Sequence, residues 1–456
     1  MSQQQVFRLP QRTSPHDIQA YKEEVPTPSS SEVLIKIKNV ALNYRDFAVA
    51  TGKYPFPVKE NVIPGSDLSG EIVSVGGHVD NFAPGDKVIA SFDLKALYGP
   101  IPDWLHSLGG CYDGVLREYI TLPSSAIVKV PSDTQLSFAQ LSALVCTGTT
   151  AWNALYGNTP LKPGQTVLFL GTGGVSVTGL ILAKAAGATT IITSSSDDKL
   201  AHVQKTYGAD HTINYRTTPD WSHEVLRITG GRGADFIFEN GGAGTIAQSI
   251  HAVAYGGTIA VIGFLASCAQ KDMPDVAALA LGKGAVVRGI MVGSKQQLEE
   301  VARFVNSRNL QVPVERVFGF SRDEVIQAFD YLVSGQHVGK IMCVSTSHRH
   351  DSTVPRQFTT FGLRSYVTRV KTDMKEVPFL APHLSIIVIR SITSRPYSFQ
   401  SNKMQLKALA ILSFLAISGY AQSFIAILNT NGKTLMAVLH FASQVHAAVV
   451  EIYDTV

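Results

Sequence analysis

The run "VLFLGTGGVSVTGLILAKAAGA" places Gly171, Gly173 and Gly174, followed by Val175, between an apolar segment and a stretch with helical spacing. Without Cβ atoms the backbone can turn tightly there and let a bulky anion approach, while the first turn of a helix supplies free amide donors and positive dipole charge. Those are the needs of a pyrophosphate. Ser176 stands where a third glycine would complete the usual spacing, and Gly-x-Gly-x-x-Gly alone is a weak signal. It becomes a dinucleotide cradle because a strand precedes it and a helix follows. About twenty residues further on, where a site for NAD(H) carries an acid, the chain reads "IITSSSDDKL". Ser194, Ser195 and Lys199 offer hydroxyls and a cation to a 2′-phosphate, which favours NADP(H) over NAD(H). Ser196 also suits a helix cap, with Asp197 and Asp198 complementing the dipole.

The elements that must carry this cradle follow from periodicity. From residue 31, short alternating runs ("EVLIKIKNVAL", "GEIVSVGG", "GDKVIASF", "LREYITL", "AIVKVP") are broken by Gly, Pro and Asp turns, the pattern of an antiparallel barrel. Near Leu141 apolar strands begin to alternate with helix-length segments, which predicts βαβ units and a doubly wound parallel sheet. Helix-period segments at 295–306 and 321–333 precede a last strand, "VGKIMCV", expected to return to the barrel. The predicted domains are 1–135 and 294–345 for the barrel part, 136–293 for the cofactor part, and 346–456 as a tail.

The tail opens on a basic, Ser/Thr-rich run without sustained periodicity, which reads as disordered. At 404–421, "MQLKALAILSFLAISGYA" has the grammar of a secretory leader: a lysine, an apolar core and small residues beyond it. Fusion to a neighbouring coding region, a membrane anchor and a docked helix all fit that segment, and no site residue is taken from it.

Net charge is +4 and the basic residues are scattered, so no nucleic-acid footprint exists. The four cysteines, far apart and without a Cys-x-x-Cys pair, suit reduced thiols in a cytoplasmic protein. No membrane role is expected for the core.

"LNYRDFAVATGKYPFP", "VIPGSDLSGEIVSVG", "FAPGDKV", "LVCTGTTAWNAL", "GTGGVS", "GGTIAVIGFL" and "GQHVGKIMCV" occur in this order across residues 5–344. In them the chain resembles the medium-chain dehydrogenase/reductase superfamily, especially its quinone oxidoreductase and enoyl reductase branch. The resemblance implies a GroES-like antiparallel β-barrel domain joined to a Rossmann domain. In the superfamily's zinc alcohol dehydrogenases the catalytic metal is held by Cys, His followed by Glu, and Cys. The matching positions here are Asn43, Ser66 followed by Asp67, and Cys146, a poor donor set for zinc. The lobe that carries a structural zinc in such enzymes keeps only Cys111. Both metal sites are expected to be absent.

By the same resemblance Tyr54 is the proton donor and Asn43 binds the substrate carbonyl. Thr150 packs beside the nicotinamide, backbone groups at Gly263, Phe264, Met291 and Val292 bind its carboxamide, Tyr215 lies along the adenosine, and Lys340 reaches the phosphates. Arg45 and Asp46 read as a structural ion pair, and the histidines, none in a metal-ligand spacing, as surface or local hydrogen-bonding groups. The implied activity is metal-independent, NADPH-dependent reduction of quinones, enones, enals or reactive carbonyls. A zinc-type alcohol dehydrogenase and a non-catalytic NADPH-binding redox sensor are the alternatives. Leu97, Ile101, Trp104 and Leu108 suggest a small hydrophobic carbonyl or quinone substrate, and "AVVRGIMVG" an edge for homodimer pairing.

Overall fold

Period-two alternation builds the first domain of the computed structural model, which describes residues 2–266, 268–344, 386–389, 423–430, 433–441 and 448–455. Strands β1 (Gln3–Arg8) and β2 (Gln19–Glu24) pair with each other, and β3 (Glu32–Leu42) leads into the short helix α1 (Tyr44–Ala50). β4 (Asp67–Val75), β5 (Lys87–Ala90), β6 (Tyr119–Pro123) and β7 (Ile127–Lys129) complete this part of the barrel. β3 is its hub and pairs antiparallel with β4 and β6.

Helix α2 (Phe138–Ala143), a π-helical turn at Leu144–Gly148 and α3 (Thr149–Tyr156) cross to the cofactor domain. That domain alternates β8 (Thr166–Phe169), α4 (Gly174–Ala185), β9 (Thr189–Ser194), α5 (Asp197–Tyr207), β10 (His211–Asn214) and α6 (Trp221–Ile228). β11 (Ala234–Glu239), α7 (Ile246–Ala252), β12 (Val253–Val261), α8 (Val276–Lys283) and β13 (Val286–Gly289) follow. The six parallel strands run in the order β10-β9-β8-β11-β12-β13. The order reverses between β8 and β11, so a crevice opens beyond their carboxyl ends, directly over the glycine turn. This is the expected Rossmann sheet.

Helices α9 (Lys295–Ser307) and α10 (Arg322–Val333) begin at Ser294 and Ser321, whose hydroxyls accept from the third helical amide while Gln297 and Glu324 reach back, a capping box at each. Between them lies β14 (Val314–Phe318), and after α10 comes β15 (Lys340–Val344), which pairs antiparallel with β3. One hydrophobic core joins the domains: Ala41, Ile89 and Phe92 of the barrel share it with Leu141, Leu144, Val167, Phe169 and Phe238.

The mouth of β4 is packed through glycine. Gly65 has φ +87°, and a Cβ on Gly114 would stand 2.0 Å from the Gly65 carbonyl oxygen. The obstacle is backbone, which cannot rotate aside. Gly114→Ala is therefore expected to destabilise the protein by about 1–3 kcal/mol, read as a lower denaturation midpoint.

A second unit, residues 358–456, contains a sheet of β16 (Ile386–Ile389), β17 (Ser423–Thr430), β18 (Lys433–Phe441) and β19 (Ala448–Thr455), paired in that order. These strands fall in the stretch read from sequence as a tail, where runs such as "SFIAILNT" and "KTLMAVLHF" are rich in strand formers. The leader-like segment 404–421 and the basic run after Ser345 lie outside the described residues. Among the described residues no helix is long and apolar enough to cross a membrane.

Candidate functional site

The glycine cradle has the shape an anion needs. Gly171 has φ +78°, and a Cβ on Gly171 or Gly173 would meet nothing within 4 Å, so the space above the turn is open. Gly173 precedes α4 without any side-chain cap, which leaves the first amides of that helix free. Ser176 explains its own departure from glycine: its hydroxyl donates to the Leu170 carbonyl at 2.8 Å and accepts from Asn240 Nδ2 at 2.9 Å, tying α4 to the ends of β8 and β11. Glu239, fully buried at the end of β11, accepts the Gly241 and Gly242 amides at 2.8 and 2.9 Å and the hydroxyls of Thr245 and Ser249, so it shapes the loop beside the crevice. Sequence reasoning missed both Asn240 and Glu239, since a buried acid in a strand looks like any other polar residue.

Ser194 is buried at the end of β9 and Ser195 is half-buried beside it; the amide of Tyr215 donates to the Ser194 carbonyl at 3.0 Å. Tyr215 itself is exposed. Lys199 Nζ donates to the carbonyl of Gly335, in the loop between α10 and β15. The same loop holds His337, whose Nδ1 is buried without a partner and whose pKa is pushed down to about 4, by burial first and then by Lys199 and Lys340. The sequence reads every histidine as a surface or local hydrogen-bonding group, and this one is neither exposed nor bonded through Nδ1. No spacing marks this one.

Around the expected nicotinamide position, Thr150 is buried in α3, and Val292, held at φ +44°, accepts from Asn153 Nδ2 at 2.9 Å. Met291 lies half-buried beside it, Val175 is half-buried at the start of α4, and Gly263 packs against the Asn240 carbonyl. Phe264 is 57% exposed and meets Tyr44 of the barrel edge to face, with centroids 6.2 Å apart.

On the barrel side the structure gathers Asn43, Ser66, Asp67, Cys146 and Lys340 into one buried network. Asn43 sits just ahead of α1, where Asp46 accepts its backbone amide at 2.8 Å. Lys340, only 3% exposed, donates to the Leu42 carbonyl at 2.7 Å and to Asn43 Oδ1 at 2.6 Å, and lies 3.8 Å from Asp67 Oδ2. Asp67 in turn accepts the Ser66 hydroxyl at 2.6 Å and the Cys146 amide at 3.1 Å. The expectation from the resemblance takes Lys340 to the phosphates, whereas in this structure its ammonium faces the barrel. Its backbone does adjoin the cradle, bridging Gly339 to Gly173, and its stem passes 2.7 Å from where a Gly174 Cβ would stand. The ammonium, however, turns to three buried oxygens that the barrel presents.

Tyr54 lies in an aromatic wall with Phe56, at 5.3 Å, and Trp104, at 6.5 Å; Phe56 and Trp104 stack at 4.3 Å. Trp104 is half-buried, whereas Ile101 and Leu108 are buried and anchor their loop. The Tyr54 hydroxyl is buried without a hydrogen bond, and so is Asn43 Nδ2. Arg45 fixes this corner: it donates to the Leu108 carbonyl at 2.6 Å and Ser107 Oγ at 3.1 Å, and its guanidinium covers the Tyr54 and Phe92 rings at 5.2 and 4.8 Å. It stands 3.8 Å from Asp46, a wider role than the expected ion pair.

Burial sets the protonation of the corner. It raises the Tyr54 phenol, against the pull of Arg45, and raises Asp67, against Lys340, Ser66, the Asn43 side chain and the Cys146 amide. It lifts Asp46 from an ordinary 3.8 to about 6, again opposed by Arg45. A carboxyl raised on folding stabilises only while the folded form holds the extra proton. Wild type should therefore lose stability, relative to Asp46→Asn, as pH rises from about 4 to about 6, measured by denaturant unfolding at each pH.

The donor set does not suit zinc. Asn43 Oδ1 and Asp67 already face an ammonium, the Ser66 hydroxyl donates to Asp67, and burial pushes the Cys146 thiol up to about 12. A dication placed among them would meet a like charge and no ready thiolate. Among the described residues no group of three or more His, Cys, Asp or Glu side chains is placed to hold a metal ion.

Residues 29–132 match the alcohol dehydrogenase GroES-like domain and residues 174–307 the zinc-binding dehydrogenase family. A zinc-type alcohol dehydrogenase-like protein of Schizosaccharomyces pombe is 41% identical over 325 residues, spanning 70% of this chain and 92% of the relative. A quinone oxidoreductase-like protein 2 homolog of Nematostella vectensis is 28% identical, spanning 69% of this chain and 81% of its own. The crystal structure of a putative alcohol dehydrogenase from Sinorhizobium meliloti 1021 superposes with a TM-score of 0.69 at 37% identity, over 75% of this chain and 99% of that one.

Proposed function

Because this chain belongs to the medium-chain dehydrogenase/reductase family of oxidoreductases, which bind a nicotinamide cofactor, we propose that it is a metal-independent, NADPH-dependent reductase of quinones, conjugated enals and enones, or reactive carbonyls. One observation carries the reading: two donors, Asn43 Nδ2 and the Tyr54 hydroxyl, are buried without a well-formed hydrogen bond among the described residues, Asp67 and Arg45 being the protein groups that face them. Leaving such a group unpaired costs about 1–3 kcal/mol, so each needs a reason to persist. A substrate oxygen supplies it.

The open turn at Gly171 and Gly173 would hold the pyrophosphate of NADPH, which when bound would supply a hydride for an electron-poor carbon. The electron pair displaced from a conjugated double bond moves onto the carbonyl oxygen. Asn43 Nδ2 donates a hydrogen bond there and stabilises the developing enolate. Tyr54 stays protonated through the neutral range because burial raises its pKa, and it gives its proton to the enolate before regaining one from solvent. The aromatic wall of Tyr54, Phe56 and Trp104 excludes water and suits a flat, apolar substrate.

Ser194 and Ser195 at the end of β9, with Lys199 in the first turn of α5 just after them, support NADPH over NADH. Edge strand β13 keeps Val286 and Val287 39% and 36% exposed, which supports a homodimer paired through that edge. Unpaired thiols at Cys111, Cys146, Cys268 and Cys343 fit a cytoplasmic setting.

The test is cofactor oxidation by the full chain, with NADPH or NADH, against a benzoquinone, a conjugated enal and a simple ketone. Turnover of the first two with NADPH is the expected result. Tight NADPH binding without oxidation of any of them would favour a sensor instead.

A further inference from the structure

We propose that Lys340 is a positioning residue for the reaction: its ammonium clamps Asn43 Oδ1 and so fixes the amide with its NH2 group turned toward the substrate oxygen. This rests on the reading of Asn43 as the carbonyl donor.

An ammonium has three donors and no acceptor, so the atom of Asn43 that lies 2.6 Å from Lys340 Nζ must be the oxygen. The amide is thereby locked against flipping, and Nδ2 is left buried without a well-formed hydrogen bond, with the Asp67 carboxyl the protein group drawing on it. An unclamped asparagine could turn its oxygen to the substrate carbonyl and repel it. The clamp is itself held on three sides, with the Leu42 carbonyl at 2.7 Å and Asp67 Oδ2 at 3.8 Å completing the set of oxygens around Nζ. A cation on Oδ1 also polarises the amide, which makes Nδ2–H a stronger donor. With its charge directed to these oxygens and only 3% of its surface exposed, the same ammonium is poorly placed to grip a phosphate.

The experiment is a double-mutant cycle on the full chain with Lys340→Met and Asn43→Ala, measuring kcat with a conjugated enal and the NADPH dissociation constant by fluorescence. Lys340→Met is expected to lower kcat about 10- to 100-fold, less than the about 100- to 1000-fold of deleting the donor itself, with NADPH affinity changed less than about 3-fold. In the Asn43→Ala background it should have no further effect, since it acts through that amide. Effects that multiply in the double mutant, or an NADPH affinity weakened about 10-fold with saturated kcat retained, would overturn the proposal while leaving Asn43 as donor. If Asn43→Ala itself leaves kcat unchanged, the donor reading falls and the clamp with it. Should Lys340→Met not fold, Lys340→Gln replaces it in the same cycle: glutamine can donate to or accept from Asn43, so the amide is again free to flip, and the same outcomes decide.

Discussion

Replacing Tyr54 by phenylalanine is expected to lower kcat with a conjugated enal about 100-fold or more while leaving the fold as stable as its parent, or slightly more so. The two halves of this result come from one fact. The hydroxyl is buried without a well-formed hydrogen bond, with Arg45 the polar group facing it, so its removal breaks little and relieves a desolvated polar group. The ring, which meets Arg45, Phe56 and Trp104, is retained in phenylalanine. Only the proton is lost. The measurement pairs steady-state kinetics with thermal unfolding. A variant that unfolds early, or one that keeps full turnover, would show that the hydroxyl serves structure or nothing.

Asp67→Ala should be the most damaging single substitution for stability. Asp67 is fully buried, faces Lys340 at 3.8 Å, and accepts from Ser66 and from the Cys146 amide. Truncation takes the counter-charge from a buried ammonium that keeps its bonds to Leu42 and Asn43, and leaves two donors without their acceptor; breaking a buried pair from one side costs about 3–5 kcal/mol. Asp67→Asn, which retains an acceptor for Ser66 or Cys146, should lose less. Denaturant unfolding of both variants checks the ranking. Equal and small losses would mean that the network contributes little.

Much of this molecule was legible because some residues have few uses. Glycines between an apolar strand and a helix, as at Gly171 and Gly173, have a reason only if the backbone must turn and stay open, and alternation in "EVLIKIKNVAL" leaves little but a half-buried strand. Asn43 and Tyr54 stand out in the sequence only through the resemblance, and the structure buries a donor of each without a well-formed hydrogen bond. Lys340 was not legible in the same way. Its backbone lies beside the cradle, which invites a phosphate contact, but a long flexible side chain goes to its best set of acceptors, and those belong to residues some 300 positions earlier in the chain, such as Leu42 and Asn43. Arg45 was read through its neighbour in sequence, Asp46, whereas its short contacts are to Leu108 and Ser107. His337 and Glu239 depend on which loops meet, and single-chain periodicity does not encode that.

The most direct test of the central claim is elemental analysis of the purified full chain, with NADPH oxidation measured before and after exhaustive chelation. The expected result is far less than stoichiometric zinc and unchanged turnover of a quinone or enal, because an ammonium already faces the oxygens a dication would need. One tightly held zinc per chain, with turnover lost on chelation and restored by the metal, would contradict it.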